Sequence, residues 1–233
     1  MNLIQLVQMV KREAGASGAV PTTVLNQVEE INRLVGWINA AWLDIQSLHA
    51  DWDWMRTAFS FSTVAGQGVY SPVQAGAVLP GAPAVSNLGN WKRDSLRKYL
   101  IANGPSGEMI LPFIPYGTFR DMYLFGSMRT TYSTPAAFTL DPQKYLLLGN
   151  APDAIYNVNG EYYGLPTALA LDADVPAMPS QFHMAIVWKA LAHYGMFEAA
   201  SEVVTRGEAE YKKFKLRIEA DQLPRITFGA PLA

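Results

Sequence analysis

Residues 31–63, INRLVGWINAAWLDIQSLHADWDWMRTAFSFST, change their hydrophobic period part-way along. Ile31, Leu34, Val35, Ile38, Trp42, Ile45, Leu48 and Trp52 recur at spacings of three and four, which is one apolar stripe over about five helical turns. Glu29, Glu30, Arg33, Asn39, Asp44 and Gln46 take the other side, and the pattern predicts a helix ending between Asp51 and Arg56. From Phe59 the period falls to two. Phe59, Phe61 and Thr63 alternate with Ser60 and Ser62, as in a half-buried strand, and Ala65-Gly66-Gln67-Gly68 reads as a hairpin turn into Val69 and Tyr70.

Toward the N-terminus, Leu3, Leu6, Val7 and Val10 share a helical face, and Lys11, Arg12 and Glu13 complete the last turn before Gly15. Toward the C-terminus the reading is β-rich. Strands are expected at Leu96 to Ala102, Met109 to Leu111, Ala137 to Leu140, Lys144 to Leu148 and Ile155 to Tyr163, with a short helix over Tyr116 to Phe125 that turns Phe119, Met122 and Tyr123 inward. Short turns between strands favour antiparallel pairing. Ser180 then N-caps a helix carrying Phe182, Ile186, Val187, Leu191, Tyr194 and Phe197, and Glu198 to Ala220 continues helically. The expected fold is α+β: a helical bundle from N-terminal helices (1–56) and C-terminal helices (167–221), an inserted antiparallel β-rich domain (57–166), and an extended tail (222–233).

Charge is sparse. Half of the 233 residues are apolar and 16% are charged, against about 25% for a typical soluble domain, a composition that suits burial against neighbouring subunits. From Thr57 to Trp91 no Asp, Glu, Lys, Arg or His occurs, where the chain average would place about six charged residues. The part from Gln74 to Asn90 reads either as a long loop or as an arm laid on a neighbour, and Val69 and Tyr70 are candidate partner contacts. Charge returns as Lys92, Arg93, Asp94, Arg97 and Lys98. Lys92, Arg93, Arg97 and Lys98 are the candidates for contact with a DNA channel or a neighbour. A net charge of −2 offers no overall pull toward a phosphate backbone. The tail carries Ile226, Phe228 and Leu232, too few apolar groups to fold alone, so these are candidate partner-binding residues as well.

Chemistry-bearing patterns are few. Cys is absent, which excludes disulfides, thiolate metal sites and thiol nucleophiles. His183 and His193 lie ten residues apart and cannot share one metal, and His49 sits near a helix end. No HExxH, Gly-x-Ser-x-Gly or Walker-type loop occurs. Asp51 with Asp53 and Asp172 with Asp174 fit capping or solvated roles better than a hard-cation site. The expectation is therefore no catalytic residue, no metal and no cofactor. Met1 to Val10 lacks the charge order of a signal peptide, and no run approaches the length of a membrane span.

Trp37-Ile38-Asn39-Ala40-Ala41-Trp42, Asp44-Ile45-Gln46 and Trp52-Asp53-Trp54-Met55 resemble the N-terminal signature of head-to-tail adaptor proteins of tailed bacteriophages. Leu146-Leu147-Leu148, Pro152-Asp153, Glu161-Tyr162-Tyr163, Asp174-Val175-Pro176, Met178-Pro179 and Phe182-His183 are similar to the corresponding stretch, so the resemblance spans most of residues 25–220. It implies a structural, non-enzymatic virion protein made in the host cytoplasm. It also implies a ring, commonly dodecameric, docked beneath the portal protein, with a tail or nozzle protein on its other side and double-stranded DNA passing through with transient, non-specific contact. Two other readings stand beside it: a carbohydrate- or peptide-binding β-module of a phage particle, and a hydrolase with a buried carboxylate pair near His183.

Overall fold

The computed structural model describes residues 1–72 and 85–224. In chain order its elements are α1 (Leu3–Ala14), α2 (Glu29–Ser47), β1 (Arg56–Ser62), β2 (Val69–Tyr70), β3 (Leu88–Trp91), β4 (Arg97–Leu100), β5 (Met109–Ile110), α3 (Tyr116–Phe119), β6 (Ala137–Leu140), β7 (Leu146–Gly149), β8 (Tyr156–Gly164), α4 (Met184–Phe197) and α5 (Ser201–Gln222). Helices with antiparallel sheets make the fold α+β. The chain divides into two compact units, Met1–Met55 with the described part of Pro166–Ala233, and Arg56–Leu165.

The first unit is helical. Leu3, Leu6, Val7 and Val10 of α1 are fully buried. Asn2 starts this helix with a reciprocal cap, its side chain accepting from the Gln5 N–H while Gln5 accepts from the Asn2 N–H, each at 3.0 Å. The free N–H of Leu3 is taken by the Asp174 carbonyl at 2.8 Å. In α2, Leu34, Ile38, Ala41, Trp42 and Ile45 face the core. The helix stops at Ser47, earlier than its apolar stripe predicts. Trp52 still reaches the same core because the chain folds back and its indole N–H donates at 3.0 Å to the Ile45 carbonyl, which also accepts from the Leu48 N–H at 3.4 Å.

Helix α4 is buried on several sides, with Ala185, Ile186, Val187, Ala190, Leu191, Ala192 and Gly195 all covered, and it packs against α1, α2 and α5. It begins after a 3-10 turn at Ser180–Phe182, and Ser180 makes no side-chain cap, contrary to expectation. Between α4 and α5 the chain turns at Ala199, whose φ is 54°, so the predicted helical run from Glu198 restarts at Ser201.

The second unit holds two sheets around one core of Phe59, Phe61, Tyr70, Trp91, Leu96, Phe138, Leu146, Leu148, Val158 and Tyr162. One has the order β1-β8-β4-β5 with β3 also on β8; the other is β2-β7-β6. The alternation in β1 is as expected, with Phe59 and Phe61 inward. Its partner is β8, in the register Arg56↔Tyr163 to Ser62↔Asn157, whereas β2 pairs with β7. The turn at Gly66 therefore carries the chain from one sheet to the other and closes no hairpin. Leu88 to Asn90, read as loop or arm, belong to β3 on β8. Residues 74–84 of that reading lie outside the described residues. The Tyr116–Phe125 segment is α3 followed by a π-turn over Arg120–Leu124. That wider turn rotates Met122 outward to 49% exposure, while Phe119 stays buried.

Candidate functional site

Asp172, Asp174, His183 and His49 are each engaged by backbone or side-chain partners. Asp172 accepts the Val24 N–H and the Thr23 hydroxyl, and Asp174 accepts the Ala170 and Leu171 N–H groups at 2.7 and 2.8 Å. Those backbone bonds, Leu171 first, hold the Asp174 carboxyl below its usual range. This is the capping role that the sequence favoured for the pair. Buried His183 donates from Nε2 to the Met178 carbonyl at 2.8 Å and accepts at Nδ1 from the Met1 amino group at 2.6 Å. Neither bond goes to a carboxylate, so the pair predicted by the hydrolase reading is not what His183 touches. His49 meets Glu219 at 3.0 Å and packs edge-on against Trp52. His193 lies on α4 with its Nε2 buried and without a hydrogen-bond partner among the described residues, and among those residues no three His, Cys, Asp or Glu side chains converge on a metal position.

The basic cluster is largely neutralised by its own neighbours. Lys92 lies 3.4 Å from Asp94 and 3.5 Å from Glu161, and Arg97 is 3.9 Å from Glu108. Arg93 is exposed, with its guanidinium over the Phe113 ring at 4.6 Å. Lys98 departs from expectation: it is 4% exposed, and its ammonium donates to the Pro135 carbonyl. Burial lowers its pKa, and the charge of Asp153 opposes that shift. The signal was present in the sequence, because period two places Lys98 on the same strand face as buried Leu96.

Of the candidate partner contacts, Val69 is exposed and Tyr70 is not. The Tyr70 hydroxyl donates to the Gln67 carbonyl at 2.7 Å and accepts from the Val64 N–H at 2.9 Å, so this side chain fixes the turn that leads to it. Ile226, Phe228 and Leu232 lie outside the described residues. Val69 opens instead onto a groove of about 220 Å³ between β2–β7 and the 119–132 segment, where Phe119, Tyr123, Met128 and Tyr132 form the opposite wall. Around it Phe125 is 58% and Tyr132 61% exposed. Arg129 joins these aromatic and Met side chains in the lining, and aromatic, Met and Arg side chains are the ones enriched in protein interfaces. This surface was missed in the sequence because the π-turn moves Met122 outward and the chain after it leaves Phe125, Met128 and Tyr132 exposed.

A model of the SU10 adaptor protein family matches residues 1–232. The chain belongs to that family. The SU10 adaptors are a phage head-to-tail adaptor family, as the landmark residues of the sequence implied, so the chain is a phage adaptor protein and a virion component that contacts other virion proteins. A comparison with curated proteins returned no match. Among the described residues no helix is long and apolar enough to cross a membrane.

Proposed function

We propose that this SU10 adaptor forms a ring between portal and tail through which DNA passes, and that its role is structural, not enzymatic. The observation that carries the reading is the apolar exposure on both units of an adaptor-family chain. The first unit exposes Val28, Phe197 and Leu216 at 73, 56 and 62%, and the second exposes Ile110, Phe125 and Tyr132 at 64, 58 and 61%. A ring made by head-to-tail contact needs two different adhesive faces on each subunit. Paired basic residues suit a conduit, since an ungripped polyanion must slide past. In this reading Val69 and the tail residues Ile226, Phe228 and Leu232 engage the portal or a neighbour.

Light scattering or mass photometry of the purified chain, alone and with the portal protein of its phage, tests the proposal. The expected result is a subunit that joins the portal as a ring of defined mass. A chain that ignores the portal would overturn it and favour the binding-module reading, which a glycan and peptide screen would then pursue. Deleting 222–233 is expected to abolish head-tail joining.

A further inference from the structure

The first unit contains a groove of about 610 Å³ along the outer side of α1, and its walls follow from two glycines. Gly15, at φ 64°, ends the helix in the left-handed conformation, where the Ala16 N–H reaches the Lys11 carbonyl at 3.2 Å. Gly18, at φ 92°, turns the chain back over the helix, and a Cβ there would sit 3.5 Å from the Lys11 ammonium nitrogen. The Gln8 amide then pins the returning chain by donating to the Pro21 carbonyl at 2.9 Å. Met1, Met9 and Val20 supply apolar wall, and Val20 is 66% exposed.

Lys11 lines this groove and is only 7% exposed. Its place is set by the helix: it follows Leu3 and Val7 at spacings of eight and four, on the buried stripe. Among the described residues its ammonium makes no hydrogen bond and no ion pair. Arg12 adds a second cation to the lining, which contains no carboxylate. The nearest acid along the helix, Glu13, is engaged by Arg206 at 2.6 Å, with Arg12 at 3.9 Å. The Lys11 stem is buried while the residue lines the groove, and an apolar site of one charge sign is complementary to a specific kind of ligand.

The structure assigns this groove as a docking site for an extended segment of a partner protein that carries one carboxylate beside an apolar side chain. The carboxylate meets Lys11 in a charge-assisted hydrogen bond, and the apolar side chain lies between Met9 and Val20, where flexible Met side chains adapt to it. Two cations in a Met-lined groove do not suit a nucleic-acid backbone, which is held by an array of phosphate contacts. The site stands apart from the ring reading, since binding at α1 requires no portal.

The experiment is selection of random heptapeptides on the full chain, followed by titration of the synthesised winners against wild type, Lys11→Met and Val20→Glu. The expected peptides pair Asp or Glu with a neighbouring apolar residue and lose about tenfold or more of their affinity for Lys11→Met, as the loss of one charged hydrogen bond implies. Val20→Glu, on the exposed rim, is expected to weaken them too by like charge. Lys11→Met keeps the apolar stem that packs in the fold and should melt close to wild type; a melting point lowered by several degrees would make Lys11 a structural residue and overturn the assignment. Acid-free winners, or equal affinity for Lys11→Met, would also overturn it. Self-association of wild type that Lys11→Met abolishes would give the groove to a second copy and sink the partner reading.

Discussion

Asp172 accepts the backbone N–H of Val24 at 2.5 Å, and its second carboxylate oxygen takes the Thr23 hydroxyl at 2.7 Å. The pair joins positions 148 residues apart, stitching the loop after α1 to the connector before α4. The same connector gives its Asp174 carbonyl to the first turn of α1. Removing the carboxylate strands a backbone donor as well as deleting a charged acceptor. Asp172→Ala is therefore expected to cost about 2 kcal/mol, and Asp172→Asn, which keeps one acceptor, about half of that. Urea unfolding of the three proteins measures both, and equal stability for all three would show that solvent satisfies Val24 and Thr23 unaided.

Helices α4 and α5 approach each other through glycine. A Cβ on Gly207 would meet the Trp188 carbonyl oxygen at 2.9 Å and the Ala192 nitrogen at 3.0 Å, both backbone atoms that cannot swing aside. On Gly36 of α2 a Cβ would meet nothing within 4 Å. The same substitution should then act with opposite signs. Gly36→Ala is expected to stabilise by about 0.5–1 kcal/mol through helix propensity alone. Gly207→Ala gains that propensity but is expected to lose about 1–2 kcal/mol net to overpacking. Thermal melts of the pair decide whether backbone proximity dominates.

His183 makes stability depend on pH in a direction that can be worked out. Burial, the largest cause, and the Met1 ammonium both lower its pKa from 6.5, against the bond to the Met178 carbonyl. Nδ1 accepts from Met1 and Nε2 donates to Met178, so the folded ring is neutral. The unfolded chain binds this proton near 6.5 and the folded chain only below that. Stability is thus complete above 6.5, declines as pH falls from there to the lowered folded value, and then levels off. Denaturant midpoints at pH 7.5, 6.5 and 5.5 should show that decline in wild type and a shallower one in His183→Gln. Parallel curves would mean another group carries the titration.

What the sequence revealed depended on how local the cause was. The span of α1 was legible from Leu3 to Gly15 because stripe and stop both lie within it, though its Asn2 cap was not read. The end of α2 was not: Trp52 keeps the stripe's spacing, but reaches the core through a turn held by its own indole. In β1 the alternation of Phe59 and Phe61 was legible, while its partner was not, since Arg56 pairs with Tyr163 and nothing near Gly66 announces a change of sheet. Lys92 and Arg97 were legible as surface charge, but their compensation depends on strand pairing, which brings Glu161 from far along the chain and Glu108 from the adjoining β4–β5 turn. Lys11 and Lys98 carried a visible positional signal. Residue type argued for solvent, and periodicity, which placed them inward, was the better guide.

Tyr211 tests the electrostatics of the helical unit without touching any proposed surface. Its hydroxyl is buried on α5 with no hydrogen-bond partner among the described residues. Burial first, then the charges of Asp44 and Glu219, push its pKa up to about 12. Above the ring's own value of 10.0 the unfolded phenol ionises while the folded one resists, so the folded state loses stability as pH rises from there toward 12. Tyr211→Phe deletes both the unpaired hydroxyl and the titration. Near neutral pH it is expected to be neutral or stabilising by about 1 kcal/mol, because no bond is lost and a desolvated polar group is removed. Absorbance at 295 nm during alkaline titration should show one fewer late-ionising tyrosine in the variant. A destabilised Tyr211→Phe would mean that the hydroxyl has a partner in solution, and an unchanged titration would assign the late phenol elsewhere.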